Sequence, residues 1–334
     1  MLYNGYMSDV PTQQIIDPQL RPNTWDEYIG QQSIKDNLHI LLGAAAKRKG
    51  QPEHLLFYGP PGLGKTTISH LIAKEMDANI KITSGPAIEK VGDLASVLTN
   101  LSEGDILFID EIHRLNTNIE EVLYPAMESG VLDIIIGKGP SARTIQLDLP
   151  PFTLIAATTK IASLSAPLRS RFSGGVFKLE FYSHNEMEQI IYQSAIKLGI
   201  GITDGGVHAI ARRSRSTPRT ANYFLKRIRD YAEVHETEIT EDTVLKALAM
   251  IGVDELGLRQ TDRDVLLAII EKFNGGPVGV KTIATATHEE IDSVENVIEP
   301  YLIQKGLLEL TSRGRVATEE AYKHFGKEGF EEKK

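Results

Sequence analysis

The chain has 334 residues, 41% hydrophobic and 24% charged, and its 36 Lys and Arg against 45 Asp and Glu give a net charge of −9. That length accommodates two or three domains, and the composition is typical of a globular protein with a substantial core. Cysteine is absent, which excludes disulfides, thiolate zinc sites and cysteine nucleophiles. No apolar run approaches the ~20 residues of a membrane span, and we expect no export signal, so a cytoplasmic protein without a membrane partner is predicted. Because the net charge is negative, any DNA contact is expected at a local patch.

After a polar lead-in (Met1 to Gln19), short apolar runs alternate with longer amphipathic stretches as far as about Tyr182. Three of the runs have the length of a strand and are followed by turn or helix signals: His54–Tyr58, Asp105–Ile109 and Thr153–Ala157. Strands separated by helical segments predict an α/β fold, a parallel sheet with helices on both faces.

The first apolar run leads into a phosphate-loop pattern, Gly59-Pro60-Pro61-Gly62-Leu63-Gly64-Lys65-Thr66, which the helix-forming run Thr67–Met76 follows. Glycines let the backbone curl so that its N–H groups face phosphate oxygens, and the helix N-terminus adds its positive end. In this pattern the lysine reaches the β- and γ-phosphates and the threonine ligates Mg²⁺. The strand before it and the helix after it are the context that the motif requires.

The second apolar run ends in two carboxylates, Asp110 and Glu111. The carboxyl end of a parallel strand delivers such groups to the edge of the sheet where phosphate loops lie. We expect Asp110 to hold Mg²⁺, partly through water, and Glu111 to orient and deprotonate the attacking water. A second acid favours a hydrolase over a nucleotide switch, which would not need it.

Between the second and third runs, Val131–Ile136 and Arg143–Leu149 flank Gly137-Lys138-Gly139-Pro140 and predict a β-hairpin. At the end of the third run, Thr158 is placed to hydrogen-bond the γ-phosphate or the attacking water, although threonines at strand ends are ordinary.

Two arginines, Arg169 and Arg171, follow near the end of this part of the chain. An arginine finger stabilises charge on a transferred phosphoryl group and can come from a neighbouring subunit. A surface salt bridge is the plain alternative for either arginine, and the same choice applies to Arg219, just after Thr217-Pro218. The nine histidines show no metal-ligand spacing and are interpreted as structural or solvated.

From Ser183 to about Val253 the pattern is helical, with Pro218 placed in the first turn of a helix. From about Glu255, three helical patterns and two short strands resemble a winged helix; they are Asp262–Phe273, Lys281–His288, Glu290–Gln304 and the strands around Thr311–Gly314. We therefore expect an ATPase domain at 1–182 with a hairpin at 131–149, a helical lid at 183–253, and a winged-helix domain at 255–334.

Charge is distributed unevenly over the second half of the chain. Seven basic residues and no acid lie between Ala211 and Arg229, which suits DNA, nucleotide phosphate, an acidic neighbouring subunit or a plain solvated face. The last predicted helix of the winged-helix segment instead carries acids: Glu290, Asp292, Glu295 and Glu299, with Glu289 just before it. Acids there argue against reading of base edges, whereas the basic tip Thr311–Arg315 suits contact with the DNA backbone.

With these motifs the chain resembles the RuvB family of Holliday-junction branch-migration motors, of the AAA+ class. The likeness extends from about Leu20 to His324, and its most specific stretches are Leu20-Arg21-Pro22, Tyr28-Ile29-Gly30-Gln31, Gly59–Thr67, Leu107–Leu115, Ile134–Ser141 and Pro277–Gly279. It implies an AAA+ ATPase domain, a helical lid and a winged helix that work as a hexameric ring on duplex DNA. It also implies ATP/ADP and Mg²⁺ as cofactors, RuvA-type and RuvC-type partners, and a role in recombination and repair in the bacterial cytoplasm.

The resemblance further implies roles for individual residues. Thr158 would be the first sensor of nucleotide, Arg219 the second, and Arg171 the finger that reaches the adjacent subunit. The implied nucleotide-binding residues are Leu20, Arg21, Gly59, Gly62, Gly64, Lys65, Thr66, Thr67, Glu128, Ser129, Gly130, Tyr182 and Arg219. The hairpin is where the family meets RuvA, and Arg315, with Arg313 as its companion, would contact DNA.

The chain departs from the family pattern at two places. Leu310 stands where the wing of the family usually has an arginine, a change that either weakens DNA binding or is offset by Lys305 nearby. In addition, Arg171–Val176 carries an extra residue. Three other interpretations remain open: a clamp loader, which should lack the winged helix; a winged-helix regulator whose ATPase domain switches assembly; and a protein-remodelling AAA+ machine, whose ATPase would not respond to DNA.

Overall fold

The computed structural model describes residues 18–136 and 143–328. Three predictions lie outside the described residues, wholly or in large part: the polar lead-in, the hairpin turn Gly137–Pro140 and a charged C-terminal end at Glu331–Lys334.

The strands of the described chain form one five-stranded sheet and two hairpins. They are β1 Leu55–Tyr58, β2 Ile80–Ser84, β3 Ile106–Asp110, β4 Val131–Ile136, β5 Arg143–Asp148, β6 Thr153–Thr158, β7 Gly175–Lys178, β8 Leu308–Thr311 and β9 Gly314–Ala317. The central sheet is parallel in the order β2-β3-β6-β1-β7. The three predicted strands are its interior members, whereas β2 and β7 are half-exposed edge strands whose sequences lack a continuous apolar run.

Helices cover both faces of this sheet, as predicted. They are α1 Gln32–Lys47, α2 Lys65–Glu75, α3 Val91–Thr99, α4 Thr117–Ser129 and α5 Ala166–Ser170. Successive residues of β1 alternate between two cores, because side chains of a strand point to opposite faces. Phe57 joins the core that contains α1 and α2, and Leu56 joins the core that contains α3 and α4. The β4–β5 hairpin is antiparallel, with Val131 opposite Asp148 and Ile136 opposite Arg143.

Four helices follow the sheet: α6 His184–Leu198, α7 Asp204–Arg213, α8 Pro218–His235 and α9 Glu241–Met250. Pro218 occupies the first turn of α8, as predicted. A capping box of Ser183 and Glu186 begins α6, which fixes where the helix leaves the sheet domain. The core of these helices is continuous with that of α1 and α2, so the lid packs directly on one side of the ATPase sheet.

The last part of the described chain has the arrangement predicted for a winged helix. Its elements are α10 Gln260–Leu267 with a π-helical turn Ala268–Lys272, α11 Val280–Thr287, α12 Ile291–Ser293 with a π-helical turn Val294–Ile298, α13 Glu299–Gln304, the β8–β9 hairpin and α14 Glu319–His324. These elements enclose a separate core that includes Val265, Ile283 and Leu302. None of the described helices is both long and apolar enough to span a bilayer.

Candidate nucleotide site

The phosphate loop connects β1 to α2, and Lys65 is the first residue of the helix. Gly59, Gly62 and Gly64 have φ of 138°, 82° and 99°, which side-chain-bearing residues rarely adopt. A Cβ on Gly64 would lie 2.9 Å from the hydroxyl of Tyr28. The glycines therefore provide both the curl of the loop and the room for its neighbours.

Lys65 is 8% exposed, and its ammonium donates hydrogen bonds of 2.8 Å to the carbonyls of Gly59 and Pro60. Burial lowers the pKa of Lys65 to about 8; the carboxylate of Asp110 opposes that shift, Arg219 adds to it and Glu111 opposes it. These groups therefore lie within electrostatic reach of the Lys65 ammonium, in the same region as the phosphate loop. The structure thus brings the loop, the two predicted acids and Arg219 near one another.

The order of the sheet explains how Thr158 reaches the same region. Strand β6 lies between β3, which ends at Asp110, and β1, which leads into the loop. Thr158, the last residue of β6, pairs with Tyr58, and its carbonyl accepts a 3.2 Å hydrogen bond from the N–H of Gly59. Glu111 follows Asp110 at φ 50° and donates its N–H to the Asp110 carboxylate at 2.9 Å. Thr158 thus stands between the loop and the acids.

His113 is a member of this site that the sequence interpretation missed. Its Nδ1 lies 2.9 Å from the hydroxyl of Thr158, which also accepts the N–H of Lys160 at 2.9 Å. Burial lowers the pKa of His113, with the carboxylate of Glu111 acting in the opposite sense, so the ring is neutral at physiological pH. In the sequence, His113 is marked by its position three residues after Asp110. Rules based on metal-ligand spacing do not detect such a residue.

A cavity between the ATPase domain and the lid adjoins the loop. It contains the predicted residues Leu20 and Tyr182 and is lined by Leu20, Pro22, Glu27, Tyr28, Ile29, Gly64, Thr67, Tyr182, Ile190, Gln193, Ser194, Lys197, Pro218 and Asn222. The hydroxyl of Tyr182 lies 3.1 Å from the carbonyl of Leu63 and 3.3 Å from the hydroxyl of Tyr28. Burial raises the pKa of Tyr182 to about 12, so it remains a neutral donor.

Lys197 of the lid is a second residue of this region that no local sequence pattern singles out. Its ammonium contacts the carboxylate of Glu27 at 2.6 Å and the carbonyl of Arg21 at 3.1 Å. The contact joins α6 to the segment that carries Arg21, across 170 residues of sequence. Nothing in local spacing predicts a pair so far apart.

The cations of the site fit a polyphosphate. The buried Nε atoms of Arg21 and Arg219 have no hydrogen-bond partner among the described residues, and burial lowers the pKa of Arg21. A buried guanidinium N–H without an acceptor is costly, and a phosphate oxygen would supply one. The backbone N–H of Arg219 lies 3.4 Å from the carbonyl of Gly62, so α8 begins against the loop. Thr66 and Asp110 add the oxygen ligands that Mg²⁺ prefers.

Arg171 is placed elsewhere. Its guanidinium contacts the carboxylate of Glu128 at 3.0 Å, lies 4.2 Å from the centre of the Tyr124 ring and donates to the carbonyl of Pro167 at 2.7 Å. In the described chain these partners belong to α4 and α5, not to the phosphate loop. The predicted nucleotide residues therefore form two groups, one around the loop and one at the end of α4, where Glu128, Ser129 and Gly130 lie.

Family models for RuvB match three consecutive segments of the chain. They are the Holliday junction DNA helicase RuvB P-loop domain over residues 20–178, the RuvB AAA lid domain over 182–254 and the RuvB C-terminal winged helix domain over 255–326. The chain belongs to the RuvB family. It is accordingly a nucleotide-binding P-loop ATPase of the AAA+ class. The presence of the winged helix argues against a clamp loader, which should lack one.

The sequences of known relatives align with this chain over nearly its whole length. The Holliday junction branch migration complex subunit RuvB of Fusobacterium nucleatum is 53% identical over 96% of this chain and 96% of its own. That of Rubrobacter xylanophilus is 55% identical over 93% and 87%. The solved structure of the Thermotoga maritima RuvB Holliday junction branch migration motor has a TM-score of 0.85 at 45% identity, covering 93% of this chain and 99% of that one.

In the winged helix, three acids of the last helical segment, Asp292, Glu295 and Glu299, are paired within the chain. The Nε of Arg315 donates to Glu299 at 2.7 Å, and the second guanidinium nitrogen to the other Glu299 oxygen at 3.0 Å and to Glu295 at 3.5 Å. Asp292 contacts the ammonium of Lys160, in the ATPase domain, at 2.8 Å. The guanidinium of Arg315 is thus engaged by carboxylates, while Arg313 lies in the exposed turn and Leu310 is 57% exposed.

The basic cluster between Ala211 and Arg229 does not form one surface. Arg215 is buried against Asp262 and the ring of Tyr301, Arg219 lies at the phosphate loop, and Arg227 and Arg229 pair with Asp230 on α8. Lys305, considered as a replacement at the wing, instead donates to the carbonyl of Arg212 at 3.2 Å. Arg215 and Arg219 therefore lie at the junctions of the lid with the winged helix and with the phosphate loop, whereas Arg227 and Arg229 lie on the lid itself.

Proposed function

We propose that this protein is an ATP-driven DNA motor that moves Holliday junctions during homologous recombination and repair, as a hexameric ring on duplex DNA in the bacterial cytoplasm. The proposal rests on where the catalytic groups lie. The phosphate loop and the two acids form one site, whereas Arg171, the proposed finger, contacts residues of α4 and α5. The names of its relatives supply the substrate.

At the loop, we assign each residue a part in hydrolysis. Lys65 leaves the two carbonyls that it contacts and binds the β- and γ-phosphates. Glu111 orients the attacking water and accepts its proton, and Thr158 positions that water or the γ-phosphate. Mg²⁺, held by Thr66 and Asp110, would neutralise charge on the phosphates.

The lid is the element that turns nucleotide state into motion. Arg219 at the start of α8 contacts the γ-phosphate side of the site, and Tyr182, just before α6, closes the other side. The N–H of Tyr182 donates to the carbonyl of Ser216 at 3.2 Å. The segment that leads into α6 is thus hydrogen-bonded to the turn that leads into α8. Loss of the γ-phosphate would release Arg219 and let the lid rotate against the ATPase domain, which we propose drives translocation.

Arg171 acts on the neighbouring subunit's nucleotide, together with Glu128, Ser129 and Gly130. Because its partners within the chain are on α4 and α5, hydrolysis requires a neighbour to supply the finger. A lone subunit should therefore turn ATP over slowly.

The remaining surfaces suit the partners. The hairpin exposes Ile145 and Leu147, which are 44% and 36% exposed, and we propose it as the RuvA contact; a RuvC-type resolvase joins the same complex. Arg313 and Arg315 of the wing would contact the DNA backbone without reading sequence. We take 1–182, 183–253 and 255–334 as the three domains.

The test uses a synthetic four-way junction with mobile arms, the protein, its RuvA-type partner, ATP and Mg²⁺. We expect ATP-dependent conversion of the junction into two duplexes, and none with Lys65→Ala, which lacks the phosphate-binding ammonium. Active ATP hydrolysis by the wild type without conversion would contradict the assigned substrate and leave the ATPase assignment intact.

A further inference from the structure

The lid carries a cluster of three potential metal ligands that the nucleotide site does not use. His184 and Glu188 lie one turn apart on α6, and His208 lies on α7. The ligand atoms are close to one another: His184 Nε2 to His208 Nδ1 is 2.9 Å, Glu188 Oε1 to His208 Nδ1 is 2.9 Å and Glu188 Oε1 to His184 Nε2 is 3.2 Å. The sequence interpretation, which found no metal-ligand spacing among the histidines, missed this cluster because its members lie on two helices.

Hydrogen bonds within the chain can satisfy these three atoms if Nε2 of His184 and Nδ1 of His208 both carry hydrogen and donate to Oε1 of Glu188. That arrangement places two N–H donors 2.9 Å apart on a single oxygen. With the hydrogens on the other ring nitrogens, the cluster instead offers three lone-pair atoms within 3.2 Å of one another, which a cation can share.

The geometry is close to that of a three-ligand transition-metal site. With metal–ligand bonds of ~2.0–2.1 Å, the ligands of a tetrahedral zinc ion stand about 3.3 Å apart. The three observed distances, 2.9, 2.9 and 3.2 Å, need to widen by only a few tenths of an ångström. The side chains are 37%, 30% and 50% exposed, so a fourth position is open to water.

The two helices hold the ligands in place. Farther along the same seam, Tyr192 of α6 donates its hydroxyl to the carboxylate of Asp204 of α7. Because residues four apart share a helix face, His184, Glu188 and Tyr192 form one row on α6, and Asp204 and His208 form the facing row on α7. The seam is therefore fixed at one end by a hydrogen bond and at the other by the three ligands.

We propose that His184, Glu188 and His208 form a binding site for one divalent transition-metal ion of the zinc class, with water as the fourth ligand. Two imidazoles and one carboxylate select Zn²⁺, Co²⁺ or Ni²⁺ over Mg²⁺, which prefers oxygen. The ion clips α6 to α7 at the beginning of α6, two residues after Tyr182 of the nucleotide site. The site stands on these contacts alone and does not depend on the motor function.

The test titrates the chelator-stripped full chain with Co²⁺ and Zn²⁺, without nucleotide or Mg²⁺. We expect one equivalent of Co²⁺ with visible absorption bands of an imidazole-ligated ion, and a Zn²⁺-dependent rise in the midpoint of thermal unfolding.

The variants His208→Gln and Glu188→Gln should each weaken binding by at least about tenfold. His39→Gln is the matched control, since His39 faces Glu75 at 3.8 Å on the ATPase domain and is not part of the cluster. Absence of stoichiometric binding to the wild type, or equal affinity in the wild type and both ligand variants, would overturn the proposal.

Discussion

The hydroxyl of Thr158 and Nδ1 of His113 lie 2.9 Å apart, at the boundary between the central strand β6 and the turn that follows the acid pair. This contact links Thr158, which we propose as the first sensor, to the turn after Asp110 and Glu111, the acids that we propose act on the attacking water. Because burial lowers the pKa of His113, the neutral ring fixes the direction of the threonine hydroxyl. His113 is thus a positioning residue for Thr158.

We predict that His113→Ala lowers kcat about fivefold to tenfold and leaves the Kd for ATP nearly unchanged, because one hydrogen bond of ~1 kcal/mol to the sensor is lost. Steady-state ATPase kinetics and equilibrium ATP binding measure the two quantities. His235→Ala, an exposed histidine at the end of α8, controls for loss of an imidazole. A rise in Kd that matched the fall in kcat/KM would contradict the positioning role.

A second prediction concerns protons. Burial chiefly lowers the pKa of Lys65 to about 8, and the phosphates of ATP favour its charged form. ATP binding should therefore take up protons at about pH 8.5 and hardly any at about pH 6.5, where Lys65 is already charged. Calorimetry in buffers of different ionisation enthalpy gives the proton number. The same number at both pH values would contradict the assignment.

The same pKa sets a trend in stability without nucleotide. Between pH ~8 and the ordinary lysine value of ~10.4, the unfolded chain binds a proton at Lys65 that the folded chain does not. The contribution of Lys65 to the free energy of unfolding therefore rises with pH across this window, and Lys65→Met should flatten that rise in urea titrations.

Arg171, the proposed finger, gives a fourth prediction. Arg171→Ala should abolish ATP turnover in the assembled ring while leaving ATP binding largely intact, because its partners Glu128 and Tyr124 lie away from the chain's own phosphate loop. The matched control is Arg169→Ala, an exposed arginine of the same helix. Mixing Arg171→Ala with Lys65→Ala protein should restore part of the turnover. In a mixed ring, the Arg171→Ala subunit has an intact phosphate loop and the Lys65→Ala subunit supplies the finger arginine. Wild-type turnover by Arg171→Ala alone would refute a finger role.

Patterns confined to one stretch of sequence predicted their part of this structure well. The strands that end at Asp110 and Thr158 and the loop before Lys65 follow from continuous apolar runs and glycine spacing. Edge strands such as β2 escaped detection because their residues are only half-buried.

Contacts between distant segments were beyond such reasoning. His113 with Thr158, Lys197 with Glu27, and His184 with His208 depend on how helices and strands pack, which no local spacing encodes. Residue spacing also does not show which charges form ion pairs within the chain. Glu299, expected from the sequence to repel DNA, is almost fully buried against Arg315. The sequence identifies the groups that can bind nucleotide. Packing determines which neighbours contact those groups and change their pKa values.

The Arg315–Glu299 pair leads to the last prediction, which separates a structural arginine from a DNA-binding one. Glu299 is 4% exposed and accepts two hydrogen bonds from Arg315. Removing one partner of a buried ion pair costs about 3–5 kcal/mol, so Arg315→Ala should lower the free energy of unfolding as well as weaken binding to duplex DNA. Arg313→Ala, at the exposed turn, should weaken binding alike for all sequences, reduce the salt slope by about one and leave stability within about 0.5 kcal/mol.

The double variant Arg315→Ala/Glu299→Gln isolates the DNA contribution, because it removes the uncompensated carboxylate along with its partner. We expect it to recover much of the stability lost in Arg315→Ala and to keep the weaker DNA binding, as measured by urea unfolding and by duplex titration at several salt concentrations. Recovery of DNA binding together with stability would show that Arg315 supports the fold of the wing and that phosphate contact belongs to Arg313.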